Sequence, residues 1–321
     1  MMPKESVGAA RTLELIDRLP AVRGRYRPCV AISELVWFRV GGPAEVVFRP
    51  ADRDDLAHFL RHKPSDVPVT VIGVGSNLLV RDGGIGGVVV RLGRGLSEVA
   101  LQDDGLHVGA GALDGNVALS AMQLGIGGLE FLSGIPGTIG GGLRMNAGAY
   151  SCEFKDVLLR AEAVDAQGRV HAVDAAALGF TYRRSNAPAD WIFTSAVLRA
   201  ERADAAAIAV RTKEIRDRRE STQPVRARTG GSTFKNPPGT SAWKLIDSVG
   251  GRGLASGGAR VSDLHCNFLI NDGGATAADI EQLGGSLIER VRAATGITME
   301  WEIQRIGATA GSGPDCGRAG A

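Results

Sequence analysis

Gly134-Ile-Pro-Gly-Thr-Ile-Gly-Gly-Gly142, with Met145-Asn-Ala-Gly-Ala-Tyr150 close behind, is the stretch whose reading decides the fold. Five glycines and a proline fall within nine residues. A flexible linker this rich in glycine is also rich in serine. Here Ile135 and Ile139 are interleaved instead, and a compact Asn-Ala-Gly-Ala follows. The stretch therefore predicts an ordered backbone wall laid against a flat or anionic ligand. A second stretch points the same way. Val69-Thr-Val-Ile-Gly-Val-Gly-Ser-Asn-Leu-Leu-Val80 reads as a strand that breaks into a Gly-x-Gly-Ser-Asn turn. Two glycines let the chain turn sharply and expose consecutive N–H groups, and Ser76 and Asn77 add donors, a nest suited to pyrophosphate oxygens. Taken alone, that turn is equally a plain strand-to-loop connection.

The familiar nucleotide signatures are absent. Gly73-Val-Gly75 has no third glycine to pack a helix on its strand in a Rossmann unit. No glycine precedes a lysine, so there is no Walker loop. There is no Gly-x-Ser-x-Gly elbow either. His58 and His62 share a helical face, but the sequence offers no third ligand, so no metal is expected.

Composition bounds the rest. The chain has 321 residues, room for two or three domains. Glycine accounts for 45 of them, about twice the usual ~7%, without a Gly-X-Y period. The net charge is +2, with no dense basic block outside Arg216–Arg219, which argues against a nucleic-acid partner. No apolar run reaches the ~18 residues of a membrane helix, and Met1 to Arg27 lacks a secretory pattern. Cys29, Cys152, Cys266 and Cys316 are isolated, as expected of reduced thiols in a cytoplasmic protein.

Hydrophobic periodicity predicts strands at Glu45–Phe48, Val69–Ile72 and Gly87–Leu92, the last buried on both faces. Helices are predicted at Asp52–His62 and Asp114–Leu124, the second opened by its Asp. Strands resume at Val157–Val164, Val170–Val173 and Trp191–Leu198, and a charged helix runs from Ala203 to Glu220. The last third reads as a loop (Thr229–Gly239), a helix (Thr240–Val249), a strand (His265–Ile270), a helix (Ala275–Ala294) and a strand (Thr298–Ile306).

Three further motifs carry chemistry. Tyr182-Arg183-Arg184-Ser185 offers a guanidinium fork for a carboxylate, or a surface Arg pair. Gly230-Gly-Ser-Thr-Phe-Lys-Asn-Pro237 holds Ser232 behind two glycines, beside Lys235 and Asn236. With no nearby histidine, Ser232 is either a hydroxyl proton donor or a capping serine. Met299-Glu-Trp-Glu-Ile-Gln-Arg-Ile-Gly307 puts Glu300 and Glu302 on one side of a strand, where apolar neighbours raise a carboxyl pKa. An exposed strand face is the other reading.

Gly73-x-Gly-Ser-Asn-Leu78, Glu130-Phe-Leu-Ser-Gly-Ile-Pro-Gly-Thr-Ile-Gly-Gly141 and Met145-Asn-Ala-Gly-Ala149 together resemble the FAD-binding domain of the UDP-N-acetylenolpyruvoylglucosamine reductase (MurB) family. The resemblance runs from about Arg39 to Gly307. It implies an α+β fold: a vanillyl-alcohol-oxidase (PCMH) type FAD-binding domain over residues 39–203, in two subdomains split near residue 96. A C-terminal α+β substrate-binding domain over 204–307, an N-terminal segment over 1–38 and a disordered tail over 308–321 complete the expectation. It also implies reduction of UDP-N-acetylglucosamine enolpyruvate with non-covalent FAD and NADPH. Arg183, Ser232 and Glu302 match the family's catalytic motifs. Gly73, Gly75, Ser76, Asn77, Leu78, Ile135, Gly137, Thr138, Gly141, Asn146, Gly148 and Ala149 are the implied cofactor contacts. Tyr182, Lys235, Asn236 and His265 are the implied substrate contacts. The sequence departs from the family at Leu264, where a lysine is usual before the histidine. No Tyr occurs in residues 184–231, so the chain resembles the shorter members that lack a Tyr-bearing loop. Another flavoprotein of the same fold, or a non-catalytic nucleotide-binding protein, is the competing reading. A yellow protein with flavin absorbance supports either enzyme, and substrate-dependent reoxidation of the reduced flavin then separates the two.

Overall fold

The structure, a computed structural model, describes residues 12–316. Three units share one central cavity. The first is a four-stranded sheet in the order Arg25–Ala31, Pro43–Arg49, Ile85–Arg91, Val69–Ile72. Its middle strands run parallel, and valines alternate through them. Val46, Phe48, Val88 and Val90 pack on one face with Leu56 and Phe59 of the helix Arg53–His62. Val47 and Val89 pack on the other face with Ile32 and Val80. The predicted double burial of this strand is borne out.

The second unit is an antiparallel five-stranded sheet in the order Val170–Asp174, Leu158–Val164, Ile192–Leu198, Gly105–Gly109, Val99–Gln102. Its core includes Val117, Leu132, Ile139, Leu143 and Phe154. The hairpin formed by its last two strands was not predicted, although Asp104-Gly105 at its tip is a hairpin signal. The glycine stretch is not all loop: residues Ile139–Met145 form a short helix. Gly142 lets that helix approach the Phe154 ring, where an added Cβ would lie 2.2 Å from a ring carbon.

The third unit packs the helices Ala242–Ser248 and Ala277–Thr295 against a small sheet that includes Ala259–Val261 and Leu269–Asn271. Phe38, Val40 and Leu79 of the first unit join this core. The expected strand Thr298–Ile306 shrinks to Gln304–Ile306, which pairs in parallel with Leu78–Val80.

Domain limits differ from the sequence reading in three places. The N-terminal segment is not separate, since Arg25–Ala31 is an edge strand of the first sheet and Leu15 and Leu19 enter its core. The helix Ala205–Thr222, capped by Asp204, salt-bridges Glu130 through Arg211 and packs beside Glu130–Gly134. The boundary expected at residue 204 therefore falls at the far end of this helix, where Gln223-Pro224 stops it. The tail is ordered as far as it is described. Gly83 N donates to Ala308 O and Ala308 N donates to Gly84 O, each at 2.9 Å, and Cys316 lies against Cys29. Residues 1–11 and 317–321 lie outside the described residues. Among the described residues no helix is long and apolar enough to cross a membrane.

Two neighbouring glycines of the last helix test this packing. A Cβ on Gly284 would sit 2.1 Å from the Trp301 ring, which Phe234 and Arg305 hold on its other sides. A Cβ on Gly285 would meet nothing within 4 Å. Gly284→Ala is expected to cost about 1–3 kcal/mol through overpacking. Gly285→Ala is expected to gain about 0.5–1 kcal/mol from helix propensity. Urea midpoints measure both, and equal shifts would contradict the packing described.

Candidate active site

The cavity between the units has a volume of about 810 Å³. Both glycine stretches line it. Gly75 sits at φ +66°, which only glycine adopts freely, and a Cβ there would lie 2.6 Å from Val36. A Cβ on Gly73 would lie 2.6 Å from Thr138 Oγ1, so the two stretches approach backbone to side chain. Gly73, Gly75, Ser76, Asn77 and Leu78 form one wall, and Ile135, Gly137, Thr138, Gly141, Gly148 and Ala149 form another. This size, with glycine walls and apolar patches from Trp37, Leu92 and Phe193, fits a dinucleotide such as FAD.

Asn146 does not belong to that wall. It is fully buried at φ 43°, capping the short helix. Its amide donates to Glu153 Oε2 and Thr181 O and accepts from Lys155 N, so both of its polar atoms are engaged structurally. Two side chains suited to covalent flavin attachment follow the stretch, and both are engaged elsewhere. The Tyr150 hydroxyl donates to Ile215 O at 3.1 Å. Burial pushes the Cys152 thiol up to about 11, far from a reactive thiolate.

The catalytic candidates converge on Glu302. Arg183 occupies a tight turn at φ 55°, closed by reciprocal backbone bonds between Thr181 and Arg184. From there its Nε donates to Glu302 Oε1 at 2.7 Å, and the Tyr182 ring lies beneath the guanidinium at 5.0 Å. Residues 233–235 run antiparallel to 300–302. Glu302 N donates to Thr233 O at 2.8 Å, and Lys235 N donates to Glu300 O at 2.9 Å. Ser232 thereby enters the same cavity as Arg183 and Glu302. Asn77 joins this group to the glycine turn, donating from Nδ2 to Glu302 O and accepting from Gln304 N.

The two glutamates that the sequence could not separate part company here. Glu300 is 74% exposed and pairs with Lys235, whereas the Glu302 side chain is 13% exposed. They do not share a strand face, because only residues 304–306 are strand. Burial raises the Glu302 pKa above its ordinary value, and Arg183 reverses this only in part. Burial works against the Arg183 charge, but Glu302 outweighs it and its pKa is raised. The result is a carboxyl held closer to its protonated form, beside a fixed cation.

The four expected substrate contacts lie outside the cavity lining. Tyr182 supports Arg183, and Lys235 holds Glu300. Asn236 caps a helix by accepting from Ala242 N. The His265 ring packs edge-on to Phe268, which does line the cavity, and tilts toward Trp243. Leu264 is half-exposed beside it. Arg219 was missed. It lines the cavity with its Nε buried and unpartnered, and burial lowers its pKa. In sequence it is one of three arginines in Arg216–Arg219 on a solvent-facing helix, and nothing singles it out. Among the described residues no group of three metal-binding side chains forms, and the His58 and His62 rings meet at a tilt.

Known proteins match this arrangement. The family model described as UDP-N-acetylenolpyruvoylglucosamine reductase, C-terminal domain, covers residues 223–306, and one described as FAD binding domain covers 44–174. A UDP-N-acetylenolpyruvoylglucosamine reductase of Parvibaculum lavamentivorans is 55% identical over 301 residues, spanning 94% of this chain and 97% of that protein. One from Rhodopseudomonas palustris is 57% identical over 299 residues, 93% of this chain and 97% of the relative. The crystal structure of the enzyme from Thermus caldophilus superposes with a TM-score of 0.76 at 34% identity, covering 89% of this chain and 99% of that one.

The ion pair makes a testable statement about pH. Glu302 has its folded pKa raised, so stability is lost as pH climbs from the ordinary carboxyl value through the folded one. Arg183→Ala removes the opposing cation and deepens that loss. The expected cost is about 3 kcal/mol at neutral pH, the low end for a buried pair losing one partner. It should shrink toward pH ~4, where Glu302 is protonated in either state. Urea melts of both proteins across this range decide it, and a pH-independent difference would contradict the pairing.

Proposed function

The chain belongs to the UDP-N-acetylenolpyruvoylglucosamine reductase family, and we propose that it reduces UDP-N-acetylglucosamine enolpyruvate to UDP-N-acetylmuramate through FAD and NADPH, for peptidoglycan precursors made in the cytoplasm. The observation that carries this reading is the buried Arg183–Glu302 pair sharing one cavity with Ser232 and the two glycine walls. FAD, when bound along those walls, supplies the hydride that it has taken from NADPH.

The chain's own residues do the rest. An enolpyruvyl ether conjugates a carbon–carbon double bond to a carboxylate. Reduction at the distal carbon leaves negative charge on the adjacent carbon and on the carboxylate. The Arg183 fork takes that carboxylate in two-point fashion, which the ammonium of a lysine cannot do. Glu302 in its protonated form donates to the developing charge, a role consistent with its raised pKa. The Ser232 hydroxyl then delivers a proton to the adjacent carbon. A hydroxyl is a weak acid, so the basicity of the enolate-like intermediate drives this transfer. Arg219 adds a cation to the same wall, where it favours an anionic ligand. The Phe268 and His265 rings extend from the cavity toward Trp243, a surface on which the uridine end can rest.

Ser232→Ala tests the assignment. Flavin content and NADPH oxidation by artificial acceptors should stay near the parental level. Reoxidation of the reduced flavin by the enolpyruvyl substrate should fall by about 10²–10⁴-fold or more, the usual worth of a general acid. Ser232→Cys should recover part of it. Stopped-flow absorbance separates the half-reactions. A Ser232→Ala protein that melts earlier but turns over at the parental rate would reduce Ser232 to a loop cap, worth about 1 kcal/mol.

A further inference from the structure

One buried acid in the cavity wall has no part in this chemistry. Asp114 opens the helix Asp114–Gln123, is 0% exposed, and has no hydrogen-bond partner on either carboxyl oxygen. Buried polar groups left in this state are rare and call for an explanation. Its backbone N donates to Gly137 O at 3.1 Å, and a Cβ on Gly137 would lie 2.7 Å from its Oδ2. The carboxyl therefore lies hard against Gly137 within the cavity wall. The segment around it is zipped to that wall. Ile139 N donates to Ala112 O at 3.0 Å, Gly140 N donates to Ala110 O at 2.8 Å, and Leu113 bridges Thr138.

Burial holds the Asp114 carboxyl well above the ordinary carboxylate range, and the nearby Gly137 amide, short of hydrogen-bond geometry, offsets this only partly. No charged side chain comes from the segments packed against it, Ala110–Leu113 and Gly134–Gly142, or from the facing turn Gly73–Leu78. The remainder of its own helix is uncharged. The charged groups of the shared cavity wall are Lys63, Arg144, Arg183, Asp190, Arg219 and Glu302.

We propose that seating the FAD diphosphate against the Gly134–Gly142 wall is coupled to protonation of Asp114. The neutral acid admits an anionic diphosphate at the Gly137 wall. The ionised form places a like charge beside it, in a site poorly screened by water. The coupling is reciprocal: bound FAD holds the proton on Asp114, and its loss weakens FAD. The inference rests on the FAD reading of the cavity and adds a positioning role for Asp114.

The test uses the full chain, stripped of flavin and titrated with FAD by fluorescence from about pH 6 to about pH 9, below the range where lysine or tyrosine titrates. In the parent, the dissociation constant should rise with pH, toward a limiting slope of about tenfold per unit for one proton. Asp114→Asn keeps the shape without the charge, so its profile should be flat and its affinity at the alkaline end tighter than the parent's. ADP-ribose, a diphosphate diester without the flavin and with no phosphate that titrates in this range, should show the same pair of profiles. A flat parental profile, or one that Asp114→Asn reproduces, overturns the proposal. Should Asp114→Asn not fold, calorimetry of the parent in buffers of different ionisation enthalpy reads proton uptake directly. Uptake on FAD binding at the alkaline end supports the coupling, and its absence overturns it. Failure of FAD to bind at any pH would instead sink the cofactor reading of the cavity.

Discussion

A three-residue parallel pairing holds the site together. Gln304–Ile306 lies beside Leu78–Val80, joining segments more than two hundred residues apart in the chain. Closing so long a loop is entropically costly, though the cost grows only slowly with length. Burial offsets it: Phe38, Val40 and Leu79 from the first unit share one core with Ile280, Leu283, Met299 and Ile303 of the third. Because of this pairing, Glu302, two residues before the strand, is set beside Asn77 of the Gly73–Asn77 turn. Asn77 locks the junction from both sides, donating to Glu302 O and accepting from Gln304 N. Glu302 and the glycine turn are thus positioned by one hydrogen-bonded joint rather than by two domains meeting loosely.

The glycine content has the same origin. Two walls must approach the same ligand and each other, and side chains would fill the space between them. Gly73 faces Thr138, Gly75 faces Val36, and Gly230 faces the Phe38 ring with a Cβ distance of only 2.3 Å. Gly230 ties the serine loop to the core that anchors the closing strand. Around the cavity, glycine is therefore a packing requirement, and its cost falls on backbone entropy.

Much of this was legible in the chain. The wall reading of Gly134–Gly142 holds because Ile135 and Ile139 alternate with the glycines, and Ile139 is indeed buried behind the wall. Arg183, Ser232 and Glu302 were placed by motif, and the structure brings them into one cavity. Local sequence could not separate Glu300 from Glu302, because the difference between them is burial by a segment over a hundred residues away. Asn146 misled for a related reason: an Asn in a glycine-rich stretch suits a ligand as well as a left-handed helix cap. The tail from residue 308 looked disordered because it is small and polar. Backbone contact helps to order it, with Gly313 so close to Gly83 that a Cβ would fall 1.5 Å from its carbonyl oxygen. Composition carries no record of a contact in which neither partner has a side chain.

The Arg183–Glu302 pair also sets a constraint on how substrate enters. Arg183 is fixed by a left-handed turn and by the Tyr182 ring, so it cannot follow its partner far. A substrate carboxylate reaching that guanidinium must compete with Glu302 for its N–H groups. As it does so, a second negative charge arrives beside a carboxyl that burial already pushes toward its neutral form. On the proposed reading, like charges in this shared, poorly solvated site favour a proton on Glu302 as the substrate carboxylate binds, so that a group pairing with Arg183 in the free protein would then serve as an acid. In the free protein, pairing with Arg183 keeps the same group from being an uncompensated buried charge, which limits the stability that its ionisation costs.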